Sequence, residues 1–397
     1  MRKPPSLARA PWLRAPGLAK VFAAIAAAGG EARVAGGAVR NALMGLPVSE
    51  IDLATTLPPE KVTAACQAHG LHVHPTGIAH GTVTVVADHR PYEVTTLRHD
   101  VETDGRRARV AFHDDWREDA RRRDFTMNAL YCDARGKIYD FTDGYGDILR
   151  KRIIFVGRPA ARIAEDHLRI LRFFRFHARF GRGAPDGDGL AACRRQAKNL
   201  GKLSAERIHQ ELLKLLAAPG AVATLRIMAR EKILRRVIPH TEDWRVIARL
   251  PADPVLRLAV LAADPDGLRQ RLRLSNREAQ RIAALVAAPP PTPRLRPGER
   301  RAILYRLGAE TWGDAVLLAW ARSAAVGDEP AWRRLLTLPR RWPIPVFPVT
   351  GHDLMARGVA AGPELGLKLR QLDDWWIAMD FKPGKMELLN RLSMEGN

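Results

Sequence analysis

Two segments decide the fold: Val34-Ala-Gly-Gly-Ala-Val-Arg40 and, a few residues later, Ser49-Glu-Ile-Asp-Leu-Ala-Thr55. Each overlaps a short apolar run, at residues 32–34 and 51–54, that predicts a β-strand. Gly36 and Gly37 stand between the first strand and a helix predicted to begin near Ala38. Glycine there lets the backbone and the helix N-terminus approach a phosphate that a Cβ would block. A Gly-Gly pair is also common in ordinary turns, so the residues that follow are needed to distinguish a phosphate-binding turn from an ordinary one.

The second segment carries an acidic pair, Glu50 and Asp52, around the apolar Ile51. Side chains alternate along a strand, so both carboxylates are predicted on one side, with Ile51 and Leu53 on the other. Mg²⁺ prefers oxygen ligands of this kind, and the pair predicts a magnesium site at the rim of a sheet. The alternative is a solvated acidic end of a strand.

The surrounding chain reads as an α/β region. Residues 17–30 predict an Ala-rich helix, and residues 80–87, 92–96 and 127–131 predict further strands. Residues 100–115 are polar and without clear periodicity, which predicts a mobile loop.

Beyond Arg158-Pro159 the pattern becomes helical. Residues 163–180 predict one helix, residues 204–216 a second with Ser204 as N-cap, and the Pro-rich residues 288–297 a linker. The division predicted is a catalytic head at 17–157, a helical neck at 158–240 and a helical body and tail at 241–397.

Composition favours a polyanionic partner. The 397 residues include 64 Lys+Arg against 43 Asp+Glu, a formal net charge of +21. Neutralising phosphates releases condensed counterions, so this excess is typical of nucleic-acid binding. A generally basic surface is the alternative, because Arg is spread along the whole chain. Three distant Cys and the lack of a signal-like or membrane-length apolar run predict a soluble, cytoplasmic protein.

Three further segments complete an ordered set: Tyr92-Glu-Val-Thr-Thr-Leu-Arg98, Arg122-Arg-Asp-Phe-Thr-Met-Asn-Ala-Leu130 and Glu165-Asp-His-Leu-Arg169. In this order and spacing the segments resemble the class II tRNA nucleotidyltransferases of the polymerase-beta superfamily. Phe347-Pro-Val-Thr-Gly351 and Asp373-Asp-Trp-Trp-Ile377 resemble tail segments of the bacterial members without a phosphohydrolase domain. The resemblance implies an α+β fold, with a small mixed sheet in the head followed by an all-α neck, body and tail.

The resemblance also implies an activity: template-independent addition of CCA to the 3′ end of tRNA from CTP and ATP, with two Mg²⁺ ions and release of pyrophosphate. Catalytic positions are Glu50 and Asp52, which would also bind the metal, and Glu93 as the third acidic residue. The alternative, a cross-strand or surface carboxylate, explains Glu93 nearly as well. The nucleotide-binding positions implied are Gly36, Gly37, Arg40, Arg122, Arg123, Asp124, Asn128, Asp166, Arg169, Arg172 and Arg175.

The chain departs from the family at two places. Members commonly have Asp where this chain has Glu50, and an Arg-Asp pair where it has Arg40-Asn41. The extra methylene of Glu50 moves the carboxylate oxygens by on the order of 1 Å, and an uncompensated shift of that size costs roughly 100-fold in rate. We expect an active enzyme with an adjusted metal site and leave the role of Asn41 open.

Individual roles follow for the remaining residues. Arg122 and Arg123 are expected at the triphosphate, since guanidinium groups bind phosphate through forked donors, and Asp124 is expected near the ribose. Asp166 and Arg169, three apart on the predicted helix, would act as a protein template. A carboxylate accepts from the exocyclic amine of cytosine and adenine and repels the carbonyl of uracil and guanine, while Arg donates to the same base edge.

Several of these residues also have a purely structural interpretation. Asp166 and Arg169 would otherwise form an intrahelical salt bridge, and Arg172 and Arg175 would stabilise the neck. Glu206 and Arg207 are assigned a structural role in the neck. The Trp residues at 312, 320, 332, 342, 375 and 376 are expected in a core more than in base stacking, and His352-Asp353 lacks the partners of a metal phosphohydrolase.

Two other functions remain open. A poly(A) polymerase, or an enzyme that adds only CC or only A, shares the same head; chain length and the predicted mobile loop favour CCA addition. An inactive RNA-binding protein on this scaffold is the alternative of another class, and Glu50 is the feature that suggests it.

Overall fold

A computed structural model describes residues 2–103, 108–241, 243–323 and 329–394. The chain forms two compact units, Met1–Ile238 and Pro239–Asn397. The finer division into head, neck and body that the sequence suggests stays a prediction.

The first unit is built on a mixed sheet, and this confirms the α+β class. Within the described residues the strand order is β3-β4-β5-β2-β1-β8-β9, and β2 and β5 are parallel. The strands, including a separate hairpin β6–β7, are β1 (Ala32–Ala35), β2 (Asp52–Thr55), β3 (His72–Gly77), β4 (Thr82–Ala87), β5 (Arg90–Thr96), β6 (Arg98–Thr103), β7 (Ala108–Phe112), β8 (Leu130–Cys132) and β9 (Ile138–Asp140).

The strands predicted at residues 32–34, 51–54, 80–87 and 92–96 are confirmed, with shifts of a few residues at their ends. The strand predicted at 127–131 is wrong in its first half, where Thr126–Asn128 form a 3₁₀ turn before β8. The sequence reading missed β3 because it is a largely exposed edge strand without an apolar alternation.

The prediction of a loop at residues 100–115 is wrong over most of its length. Strands β6 and β7 pair antiparallel, from Arg98 opposite Phe112 to Thr103 opposite Ala108. Residues 104–107 lie outside the described residues. A two-stranded ribbon forms its ladder from backbone groups, so polar side chains and weak periodicity do not exclude it.

Helices of the first unit cover the sheet and continue to residue 237. They are α1 (Pro16–Ala27), α2 (Gly37–Leu43), α3 (Pro59–Ala68), α4 (Trp116–Arg122), α5 (Gly144–Arg150), α6 (Pro159–Glu165), α7 (Leu168–Phe180), α8 (Gly187–Gln196), α9 (Ala205–Leu216), α10 (Ala221–Arg230) and α11 (Leu234–Val237). Ser204 occupies the predicted N-cap position of α9, although its side chain makes no capping hydrogen bond.

The single helix predicted at residues 163–180 is wrong, because the chain breaks between α6 and α7. Asp166 has extended backbone angles, φ −150° and ψ 107°, and its Oδ1 accepts a hydrogen bond from the Leu168 N–H at 3.0 Å. Short Asp side chains compete with the helix for backbone donors in this way. Asp166 and Arg169 therefore do not share the face of one helix.

Aromatic packing fixes the segment after α4 against α7. The Phe125 ring lies with its centroid 4.9 Å from that of Phe155 and 5.0 Å from that of Phe176. Phe155 stacks on Phe173 at 5.4 Å, and Phe125, Phe155 and Phe173 are fully buried. Aromatic pairs at such distances add roughly 0.5–1.5 kcal/mol each beyond area burial. Residues 124–128 are thus held rigidly beside the first turns of α7.

In its described residues the second unit is helical: α12 (Trp244–Arg249), α13 (Pro254–Leu261), α14 (Pro265–Leu272), α15 (Asn276–Ala287), α16 (Pro297–Arg322), α17 (Glu329–Leu336), α18 (Leu338–Arg341), α19 (Gly351–Met355), α20 (Pro363–Ala378) and α21 (Lys385–Met394). The Pro-rich segment predicted as a linker is the non-helical connection between α15 and α16.

The expected core position is confirmed for three of the Trp residues. Trp312, Trp332 and Trp376 are buried, and Trp320 stacks on Trp332 with ring centroids 6.0 Å apart. Across the part of the chain that the structure describes, no helix combines the length and apolar character needed to cross a membrane.

Candidate active site

A cavity of about 550 Å³ opens in the first unit where β1, β2, α4 and α7 approach each other. It contains every predicted site residue except Glu93 and Arg175. The wall consists of Ala35, Gly36, Gly37, Arg40, Glu50, Asp52, Arg122, Arg123, Asp124, Asn128, Asp166, Leu168, Arg169, Arg172, Phe176 and Arg207.

The acidic pair stands at one side of this cavity. Glu50 lies two residues before β2 in the chain, and Asp52 is the first residue of that strand. Asp52 is in register with Glu93 of the parallel strand β5, which places Glu93 beside it although Glu93 is not part of the wall. Partial desolvation in the cavity, then the charges of Glu93 and Glu50, raise the pKa of Asp52 to about 6, against a smaller opposing effect of Arg123.

These three carboxylates have no ion pair and no side-chain hydrogen bond with any described residue. Like charges held together without a cation are unfavourable, and a bound cation would remove that repulsion.

Opposite the acidic pair, Arg122 and Arg123 are held by one buried carboxylate, Asp119, which is fully inaccessible. Arg122 Nε donates to Asp119 Oδ1 at 2.7 Å, Arg123 Nη2 donates to Oδ2 at 3.0 Å, and the Tyr131 hydroxyl donates to Oδ2 at 2.6 Å. Burial alone would raise the pKa of Asp119, but the charges of Arg123 and Arg122 and the Tyr131 hydrogen bond lower it to about 2.

Sequence reasoning missed Asp119, although a signal was present. Asp119 lies three residues before Arg122 and four before Arg123 at the end of one helix, the spacing that lets one carboxylate reach both guanidinium groups.

A second network joins the 124–128 segment to α2 and α7. Asp124 Oδ1 accepts from the Phe125 N–H at 2.8 Å and from Asn128 Nδ2 at 2.9 Å. Its Oδ2 accepts from Arg172 Nε at 2.8 Å and also from Arg172 Nη2. Asn128 Oδ1 in turn accepts from Arg40 Nη1 at 2.5 Å. A carboxylate has about four acceptor positions, and the protein uses four here, so Asp124 orients Asn128 and Arg172.

Arg40 is buried at the far end of this network. Its Nη2 donates to Asn41 Oδ1 at 2.8 Å, and its guanidinium lies 4.4 Å from the Phe180 ring centroid. Burial, partly offset by Asp124 and reinforced by Arg175 and Arg179, lowers the pKa of Arg40 to about 10. Asn41, whose role the sequence leaves open, therefore fixes the Arg40 side chain through its amide oxygen.

Gly36 lies where the first strand enters α2, and its conformation requires glycine. Its φ of +69° lies in the left-handed region. A Cβ there would approach Arg123 Nη1 to 3.3 Å and the Asn128 carbonyl oxygen to 3.5 Å. The glycine therefore admits the guanidinium of Arg123 next to the backbone at the cavity wall.

Asp166 and Arg169 both face the cavity, but each is held by another partner. Asp166 Oδ2 accepts from Arg207 Nη2 at 2.7 Å. Arg169 Nη1 donates to Glu165 Oε2 at 2.6 Å and to the Arg162 carbonyl at 2.8 Å, and its Nη2 donates to the Arg122 carbonyl at 3.2 Å. The alternative of a salt bridge between Asp166 and Arg169 is therefore wrong.

Arg207, assigned a structural role from sequence, holds Asp166 and is itself part of the cavity wall. Arg175 lies outside the wall. Its Nε donates to Glu211 Oε2 at 2.5 Å, which ties α7 to α9. The buried Glu211 could not have been assigned to Arg175 from sequence, because 36 residues separate them.

Within the described residues, no group of three or more His, Cys, Asp or Glu side chains is placed to hold a metal ion by itself. Mg²⁺ in nucleotide enzymes is usually bound by one or two carboxylates together with substrate phosphates. Glu50 and Asp52 fit that arrangement. At His352-Asp353, Asp353 accepts from Thr350 and pairs with Lys385 at 2.7 Å, so it caps a helix.

Two family models match the chain. Residues 32–154 match the poly(A) polymerase head domain, and residues 186–245 match the probable RNA- and SrmB-binding site of polymerase A. The first match spans the sheet and the acidic pair. The second spans α8 to α11 and the start of the second unit.

Relatives of similar length are found among curated proteins and solved structures. The mitochondrial CCA tRNA nucleotidyltransferase 1 of Danio rerio is 35% identical, over 91% of this chain and 87% of the relative. The CCA-adding enzyme of Limosilactobacillus fermentum is 32% identical, over 91% and 93%. The crystal structure of the Bacillus stearothermophilus CCA-adding enzyme in complex with CTP is 28% identical, with a TM-score of 0.79 over 96% of this chain and 98% of that one.

Proposed function

Because this chain belongs to the family of class II tRNA nucleotidyltransferases and poly(A) polymerases, we propose that it adds CCA to the 3′ end of tRNA from CTP and ATP. In each step the 3′-hydroxyl oxygen of the tRNA attacks the α-phosphorus of the nucleotide. The new P–O bond joins the nucleotide to the RNA, and the bond from the α-phosphorus to the oxygen that bridges to the β-phosphate breaks. Pyrophosphate leaves with that oxygen, and the hydroxyl proton is released.

The observation that carries this proposal is the division of charge in the cavity. Its arginines bind carboxylates or amide oxygens of the protein, whereas Glu50 and Asp52 bind no protein cation. Such an acidic pair beside fixed guanidinium groups suits a reaction that brings a triphosphate and divalent cations together. An anion-binding protein without chemistry would have no need of the acidic pair.

We propose that Glu50 and Asp52 hold two Mg²⁺ ions together with the triphosphate. Bound Mg²⁺ would stabilise charge on the attacking and leaving oxygens. Glu93, in register with Asp52, would assist by keeping the local potential negative. With a pKa of about 6, Asp52 is mostly ionised at neutral pH and can serve as an oxygen ligand.

Arg122 and Arg123 are proposed to bind the triphosphate through the donors that Asp119 leaves free. Both side chains are immobilised by Asp119, so little rotamer entropy is lost when phosphate binds. Asp124 would then act on the sugar through Asn128 and Arg172. A direct bond from Asp124 to a ribose hydroxyl would have to replace one of its four protein hydrogen bonds.

The remaining hydrogen-bonding capacity of Asp166 and Arg169 supports base selection. Each Asp166 oxygen accepts one protein hydrogen bond, which leaves further lone pairs for an exocyclic amine. Arg169 uses both Nη1 hydrogens and one Nη2 hydrogen, which leaves its Nε–H and one Nη2–H for a base edge. Cytosine and adenine satisfy both groups, while uracil and guanine present a carbonyl to the carboxylate.

The test is incorporation into a tRNA transcript that ends at the discriminator base, with Mg²⁺ and CTP, ATP, both, or all four nucleotides, resolved to single nucleotides. Three additions that require CTP before ATP support the proposal. Addition of CC only, of A only, or of long A tails to an A-rich RNA run in parallel would reassign the enzyme within its family. Retained tRNA binding without incorporation would favour an inactive RNA-binding protein.

Base selection has its own test. Asp166→Ala and Arg169→Ala are each expected to reduce discrimination between CTP and UTP by roughly 5- to 150-fold, the range that corresponds to about 1–3 kcal/mol for a bidentate base contact. Arg158→Ala, just before α6 and outside the cavity wall, is the control. Unchanged CTP, ATP and UTP preferences in both variants would refute the assignment.

A further inference from the structure

The second unit contains a smaller cavity of about 210 Å³. Its wall consists of Pro293, Arg300, Ala331, Arg334, Leu335, Leu338 and Arg341, and we call it the triarginine pocket. We propose that it binds one phosphate of the tRNA sugar–phosphate backbone. This inference rests on the proposed function, because it takes tRNA as the substrate.

Within the described residues, no carboxylate of the protein neutralises the charge of the triarginine pocket. Its wall contains three arginines and no carboxylate. Elsewhere in the same unit, Arg281 pairs with Asp314 at 2.6 Å and Arg301 pairs with Asp380. Guanidinium groups that converge without an anion repel each other, so the pocket favours an anionic ligand.

The donors available in the pocket point to the same ligand. Arg300 Nη2 donates to the Pro293 carbonyl, but its Nε is buried and has no hydrogen-bond partner in the described part of the protein. Arg341 Nη2 donates to the backbone carbonyl of Arg334. The guanidinium of Arg334 makes no hydrogen bond or ion pair with a described residue. A buried N–H without an acceptor is unfavourable, and a phosphate oxygen would satisfy it.

Rigid elements present these side chains. Arg300 lies in the first turn of α16, Arg334 on α17 and Arg341 at the end of α18. Leu335, which also lines the pocket, is buried in the core of this unit and fixes α17 next to Arg334. The positions of the guanidinium groups are therefore set by packing more than by loop conformation.

The size of the triarginine pocket and its exposure favour a backbone phosphate. A pocket for a small molecule typically has about 300–1,000 Å³, so this volume suits one phosphate group better than a whole nucleotide. Arg334 and Arg341 are exposed, which leaves the pocket accessible to a large ligand. RNA helices are bound mainly through shape and through phosphate and 2′-hydroxyl contacts.

The experiment compares Arg334→Ala with Arg333→Ala in the full-length protein. Arg333 is the adjacent residue on α17, carries the same charge, lies 3.8 Å from Glu329 and is not part of the wall. The dissociation constant for a tRNA transcript is measured by filter binding at several salt concentrations. We expect Arg334→Ala to raise it roughly three- to tenfold and to reduce the log–log salt slope by about 1.

A second variant, Arg341→Ala, is expected to give the same change, and circular dichroism checks that each variant is folded. Equal tRNA affinity and salt slope for Arg334→Ala, Arg341→Ala and Arg333→Ala would overturn the inference. The inference would also be overturned if Arg334→Ala changed the inhibition of tRNA binding by inorganic phosphate but left the affinity for tRNA itself unchanged. A wild-type protein that binds no tRNA would instead refute the proposed function, so the two failures are distinguishable.

Discussion

Replacing Asp119 by Asn tests whether the triphosphate side of the cavity depends on one buried charge. Asp119 is inaccessible to solvent and accepts hydrogen bonds from Arg122, Arg123 and Tyr131. Asn keeps the shape but removes the charge, and its NH2 group would face the donors that now reach one of the two carboxylate oxygens. Two arginines then lose the group that holds them against the end of α4.

The magnitude follows from the pKa of Asp119, which is about 2 in the folded protein against an ordinary value of 3.8. This difference corresponds to roughly 2–3 kcal/mol of folding free energy at neutral pH. Removal of one member of a buried ion pair costs about 3–5 kcal/mol, so we expect Asp119→Asn to lower the free energy of unfolding by about 2–4 kcal/mol. Glu118→Gln is the matched control, because Glu118 pairs with Arg121 at the exposed surface of the same helix. Its expected effect is below about 0.5 kcal/mol.

Urea denaturation from pH 7 to pH 3 measures this effect. The folded-state pKa of Asp119 lies below its unfolded value, so its stabilisation is complete above about pH 5 and is lost as the pH falls towards 2. The difference between wild type and Asp119→Asn should therefore be constant from pH 7 to 5 and fall to roughly half by pH 3. A difference that grows on acidification, or equal stability of Asp119→Asn and Glu118→Gln, would refute the reasoning.

Four further outcomes are expected. Glu50→Gln should lower kcat by roughly 100-fold or more with little change in the KM for CTP, and full activity of this variant in single-turnover assays would contradict that expectation. EDTA should abolish incorporation until Mg²⁺ is added in excess. Gly36→Ala should lower the free energy of unfolding by about 1–2 kcal/mol because its φ is +69°, as urea titration would show. Arg175→Ala should cost about 2–4 kcal/mol, because the buried Glu211 loses its 2.5 Å partner and keeps only Arg172 at 3.8 Å. The ratio of CTP to UTP incorporation should stay unchanged, and altered selectivity would place Arg175 in the nucleotide site.

The parts of the site that the sequence predicted are those encoded by local pattern. The strand–Gly-Gly–helix segment and the Glu50-Ile-Asp52 alternation depend on neighbouring residues, and the structure places them together at one wall. The resemblance to known nucleotidyltransferases supplied Asp166 and Arg169. Both face the cavity even though the helix expected to carry them is broken at Asp166.

The partners of these residues could not be predicted, since each depends on packing between distant segments. Arg207 reaches Asp166 across 41 residues, and Arg172 reaches Asp124 across 48. The helix break at Asp166 had no glycine or proline to mark it, because it arises from an Asp side chain that competes for the Leu168 N–H. The β6–β7 ribbon could not be predicted for a different reason. It is formed by backbone hydrogen bonds, and its sequence has no apolar alternation that would indicate a strand.

The division of charge in the cavity also explains why so many carboxylates accompany the arginines. If Arg123 were not bound by Asp119, its guanidinium would be free to pair with Asp52, whose pKa it already influences. Such a pair would satisfy both side chains and would remove a donor from the triphosphate and an oxygen ligand from the metal. Asp119 for Arg122 and Arg123, Glu165 for Arg169 and Asp124 for Arg172 therefore keep the cations away from the acidic pair. The cavity can then stay charged and open, since its two halves are prevented from neutralising each other before substrate arrives.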